Sequence, residues 1–95
     1  MSSHTTLLRR RPLPAPGYQL EVLDGEILLF HPASLTIMHS NESGALIWQL
    51  CNGQRTVGDI VALLQAAYPE AAASIERDVL EVLQTWFQNG AIQWQ

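Results

Sequence analysis

NESGALIWQLCNGQRTV, residues Asn41 to Val57, compresses a helix start, a helix stop and a second helix start into one short run. Asn41 is suited to accept a hydrogen bond from the free N–H groups of the turn it begins, and Gly53 takes without Cβ strain the left-handed conformation that ends a helix. Thr56 followed by Asp59 reads as a variant capping box, with the shorter Asp in place of Glu or Gln. This punctuation predicts a first helix carrying an apolar stripe of Leu46, Ile47, Leu50 and Cys51, with Trp48 at its border.

Upstream, the period changes to two. Tyr18, Leu20 and Val22 alternate against Gln19 and Glu21, as expected of a strand covered on one face. Asp24-Gly25 supplies a tight turn that returns Glu26 to Phe30 antiparallel to it. A second turn near Pro32-Ala33 leads into a third strand, Leu35 to His39. Downstream, Val57, Ile60, Val61, Leu64 and Tyr68 mark a second helix before Pro69. Ile75, Val79, Val82, Leu83 and Trp86 mark a third, widened by Leu80 and Phe87 to an arc of roughly 160°, more than the roughly 100° a core-facing helix needs. Asn89-Gly90 stops that helix, and Ala91 to Trp94 adds a short strand or an extended tail. The order is three strands followed by three helices. It predicts an α+β fold: a small winged-helix-like domain with a three-stranded antiparallel sheet.

The 95 residues suffice for one core. Residues Met1 to Gly17 hold Arg9, Arg10 and Arg11 and prolines at 12, 14 and 16, which favours an extended, flexible or partner-ordered arm ahead of a domain spanning Tyr18 to Gln95. Hydrophobic residues reach 47% and charged ones only 15%, so some apolar surface is expected to meet a partner. A net charge of −4 repels phosphate backbones, which argues against nucleic acid as a partner. A single Cys excludes a disulfide framework, and neither a secretory h-region nor an apolar run of about 20 residues is present. The expected location is the cytoplasm, away from the membrane.

The run of cap, IWQLCNG and RTVGDIV over Asn41 to Val61 resembles the PqqD family, peptide chaperones of pyrroloquinoline quinone (PQQ) biosynthesis related to the precursor recognition elements of ribosomal peptide maturation. A looser similarity extends over Tyr18 to Gln95. Ser40 stands where such proteins usually place an apolar residue, and Gly44 where they usually have Ala. The resemblance implies the same winged-helix-like arrangement, with a precursor's leader segment added beside the third strand and against the third helix. It also implies a separate modifying enzyme, a radical SAM protein in the PqqD system.

Chemical sites are sparse. His4, His31 and His39 are far apart and have no second Cys near them, so no metal or cofactor site is expected. Cys51 sits on an apolar helix side as a small hydrophobe, and Ser43 does not suit a carrier-protein attachment site because strands precede it. No catalytic set stands out, and an enzyme is not expected.

An open edge on the third strand is the remaining feature, able to receive an extended peptide by main-chain pairing. The edge backbone of Leu35, Thr36, Ile37, Met38 and His39 is assigned to that pairing. Val79, Val82, Leu83 and Trp86 form the expected apolar wall, with Met38 as an adaptable contact. Val79, Leu83 and Trp86 have core character as well, and Leu35/Ile37 compete with Thr36/Met38 for the inward face. The leading expectation is a non-enzymatic peptide chaperone that binds a precursor's leader and presents it to the modifying enzyme. One alternative is a winged-helix DNA-binding regulator, whose recognition helix would offer only Arg77, Gln84, Gln88 and Asn89 amid acids. The other is an adaptor or dimerisation module in which the open edge forms a homodimer.

Overall fold

The structure is a computed structural model describing residues 3–24, 26–33 and 35–95. Along the chain run α1 (Ser3–Leu8), β1 (Pro12–Pro14), β2 (Gln19–Leu23), β3 (Glu26–His31), β4 (Thr36–Ser40), α2 (Glu42–Leu50), α3 (Val57–Ala67), a 3₁₀ turn (Pro69–Ala71), α4 (Ala72–Gln88) and β5 (Ile92–Trp94).

The punctuation forms as its chemistry dictates. Oδ1 of Asn41 accepts from the Gly44 N–H at 2.8 Å and opens α2. Thr56 and Asp59 exchange reciprocal bonds of 3.0 Å, a complete capping box that opens α3. Between them, α2 ends at Cys51, whose N–H reaches the carbonyls of Ile47 and Trp48, while Arg55 Nη1 donates to the Leu50 carbonyl. Gly53, at φ +77°, turns the chain within the linker and does not end the helix itself. A Cβ there would also lie 3.1 Å from Leu13 Cδ1, so this glycine lets the N-terminal segment approach.

Strands β2, β3 and β4 form an antiparallel meander in that order, with Leu20 opposite Leu29 and Leu29 opposite Met38. Asp24 carries the positive φ of the first turn; its partner in that expected turn, Gly25, lies outside the described residues. Leu29 is the sheet's fully buried contribution to the core. The strand alternation holds at Leu20 but fails at Val22, which is 65% exposed at the hairpin tip.

The core lies among α2, α3 and α4, with Ile47, Val57, Ile60, Val79, Leu83 and Ile92 almost wholly withdrawn from water. Trp48, expected at a border, is buried edge-to-face on Trp86 at 5.5 Å between ring centroids.

Two expectations meet a different arrangement. Leu35 is not part of the third strand: it sits at φ +56° in the turn, 77% exposed, and pairing begins with Thr36 opposite His31. A left-handed residue cannot continue a ladder, so the strand runs one residue later than its β-propensity indicates. The segment read as a flexible arm is built into the domain. Pro12–Pro14 pairs antiparallel with Ile92–Trp94, the Arg11 and Gln95 backbones exchange two bonds, and Pro12 is fully buried. The Arg10 carbonyl accepts from the Val57 N–H at 2.9 Å, satisfying a donor that the first turn of α3 leaves without a helical partner. Arg10 also lies over the Trp94 ring, 5.7 Å from its centroid.

Proline suits this segment because a short edge strand makes few demands on its missing N–H groups. Deleting residues 1–17 is expected to remove about 3 kcal/mol or more through lost burial of Leu8, Pro12 and Leu13. That is a fall in Tm of roughly 10 °C or more by circular dichroism, whereas a detached arm would leave Tm unchanged.

Candidate functional site: an open strand edge facing a helix

Strand β4 pairs with β3 on one side, and no strand among the described residues pairs with its other side. The N-terminal segment pairs with β5 instead. Backbone N–H and C=O groups along the outer edge of Thr36–Ser40 are therefore left to solvent or to a ligand.

Beside this edge lies a groove of about 430 Å³ lined by His39, Ser40, Asn41 and Gly44 on one side and by Glu81, Val82, Thr85 and Trp86 of α4 on the other. The assigned wall residues divide. Val82 and Trp86 line the groove, Val82 as a partly buried side chain and Trp86 as the rim of the core at 5% exposure. Val79 and Leu83, at 1% and 0% exposure, are spent on packing between the helices. Ile75 and Leu80 take the rest of the broad apolar arc into the core, while Phe87 is half exposed against Trp94.

The strand's parity is also decided. Met38 opposes buried Leu29 and packs on the core edge, so Met38 and Ser40 share the helix-facing side, and Ile37, 55% exposed, and His39 alternate to the other. The Thr36 side chain lies outside the described residues; its backbone is the first of the strand.

Sequence reading missed Ser40, Asn41, Gly44, Glu81 and Thr85 as groove residues. The available signal was adjacency, since Glu81 and Thr85 each precede a stripe residue, Val82 and Trp86, by one position. Ser40 and Gly44 belong together: a Cβ at Gly44 would collide with the Ser40 Oγ, so the hydroxyl occupies space that an alanine would need.

A larger hollow of about 570 Å³ lies between α2, α3 and the start of α4, with Leu46, Leu64, Tyr68 and Ile75 in its lining and no residue of β4. No group of three His, Cys, Asp or Glu side chains converges among the described residues, and burial pushes the Cys51 thiol up to about 12. Such a thiol is protonated near neutral pH and is a poor nucleophile. No described helix is long and apolar enough to cross a membrane.

Two outcomes follow from these environments. With Ser40 first reduced to Ala, Gly44→Ala is expected to add about 1 kcal/mol of stability in urea melts, through helix propensity in an uncrowded site. With Ser40 intact the gain is smaller, because the hydroxyl must rotate away. For Cys51, the unfolded thiol titrates near 9.0 and the folded one near 12, so above 9.0 the unfolded chain loses its proton first and stability falls with rising pH. Cys51→Ala should flatten that alkaline decline in Tm, whatever its effect at neutral pH.

Comparison with known proteins agrees with this architecture. Residues 26–92 match the family model described as Coenzyme PQQ synthesis protein D (PqqD). A PqqA binding protein of Methylococcus capsulatus is 34% identical over 88 residues, covering 93% of this chain and 88% of the relative. One from Stutzerimonas stutzeri is 39% identical over 67 residues, 70% of each chain. Among solved structures, lasso peptide synthetase B1 complexed with its leader peptide is similar in fold, with a TM-score of 0.72 at 20% identity over 87% of this chain and 98% of that one. TbiB1 in complex with the TbiA(beta) leader peptide gives a TM-score of 0.69 at 21% identity, covering 85% and 94%. By its sequence match over most of its length, the chain belongs to the PqqD family.

Proposed function

We propose that this protein is a non-enzymatic peptide chaperone that binds the leader of a ribosomally synthesised precursor by adding it as a strand to β4. The open edge of β4 facing the α4 groove carries this reading. Support comes from relatives named for binding PqqA and from similar folds solved with leader peptides in place. The edge backbone of Thr36, Ile37, Met38 and His39 pairs with the leader, and Val82 and Trp86 receive its side chains. Met38 serves as the adaptable contact between groove and core.

Main-chain pairing supplies affinity that tolerates sequence, while the groove supplies selection. No bond is made or broken here. The gain lies in effective concentration and orientation, with the leader held and the remaining precursor delivered to a separate modifying enzyme, a radical SAM protein if the pathway is that of PQQ. The chaperone acts in the cytoplasm, where the precursor is made.

Titration of the full chain with synthetic leaders encoded beside its gene is expected to show saturable binding. Thr85→Arg, an exposed substitution that fills the groove from α4, should weaken it at least tenfold with Tm little changed. Absence of saturable binding by every candidate leader would sink the reading. Sedimentation with and without peptide separates leader capture from pairing of two copies through the same edge.

A further inference from the structure

Glu81 is the acidic side chain on the α4 wall of the groove, and its carboxylate has no hydrogen bond or ion pair among the described residues. Its backbone carbonyl is engaged by the Thr85 hydroxyl at 2.9 Å, which leaves the carboxylate itself uncommitted. No Lys or Arg lines the groove. The cation one turn away, Arg77, lies 3.7 Å from Asp78 instead. The groove thus joins an apolar seat, Val82 and Trp86, to a negative group with no Lys or Arg partner among the described residues, His39 being the other titratable residue of the lining.

Resting on the strand-addition reading, we propose that this site selects extended peptides carrying Lys or Arg two positions from an apolar residue. The apolar side chain seats on Val82 and Trp86, and the cation meets Glu81. The spacing follows from geometry. Helix rise puts Trp86, the far end of the seat, about 7.5 Å from Glu81 along the α4 axis, with Val82 packed beside the path between them. Same-face residues of an added strand recur every 6.8 Å or so, with side chains between them turned away from α4. The charge in the groove selects an oppositely charged peptide by attraction that an exposed anionic surface would deny to an acidic one.

The test is selection of random twelve-residue peptides displayed on phage against the immobilised full-length chain, followed by fluorescence anisotropy with the consensus peptide. Enriched peptides are expected to share an apolar and a basic residue two positions apart in one fixed order, and the consensus should bind Glu81→Gln about threefold to tenfold more weakly than wild type. That ratio should shrink in high salt and vanish when the peptide's basic residue is replaced by Met. Glu21→Gln, an equal charge change on β2 away from the groove, should stay within about twofold. A consensus without a basic position, or equal binding by wild type and Glu81→Gln, would overturn the inference and leave strand addition standing. Undiminished binding by Thr85→Arg would place the peptides elsewhere and overturn it too. No enrichment of any peptide would remove both this inference and the function on which it rests.

Discussion

Unpaired backbone groups are costly wherever water or a partner cannot reach them, and the way this chain distributes its strand pairing follows from that constraint. Two segments lie outside the meander and can pair as strands, the proline-bearing N-terminus and the C-terminal strand. They pair with each other, forming a small second sheet against the helices. The N-terminal segment also gives the Arg10 carbonyl to the start of α3 and the Pro12 carbonyl to Gly53. Its commitments are to β5, to the start of α3 and to the linker before it, and no strand among the described residues pairs with the outer edge of β4.

That edge is useful because α4 stands beside it. A single helix serves two surfaces: Ile75, Val79, Leu80 and Leu83 hold it in the core, and Val82 with the rim of Trp86 forms the groove wall. The Trp48–Trp86 contact couples α2 to α4 directly. Since Asn41 and Gly44 at the head of α2 line the opposite side of the groove, this packing fixes the groove's width. The Ser40–Gly44 pair acts at the same place, with a hydroxyl filling the space left by the missing Cβ.

Sequence and structure divide the account along the range of the interactions involved. The caps at Asn41 and Thr56 were legible because each involves residues three apart whose chemistry has few other uses. The strand order and helix stripes were legible from period alone. The limits of β4 were not, since Leu35 has good β-propensity and its left-handed turn depends on closing the hairpin between His31 and Thr36. The N-terminal segment was misjudged for a similar reason. Proline and arginine signal disorder when counted locally, yet Pro12 is buried by partners near the opposite end of the chain.

By itself, then, the sequence determined the α+β class, the helix starts at Asn41 and Thr56, the family resemblance and the presence of a third strand and of a broad apolar helix. Those properties arise from neighbours a few residues apart. Only the tertiary structure decided which members of the α4 stripe belong to the core, which face Met38 shares, and whether the N-terminus covers β4 or pairs elsewhere. Each depends on contacts between segments distant in sequence, where several partners of equal local merit compete and three-dimensional packing selects among them.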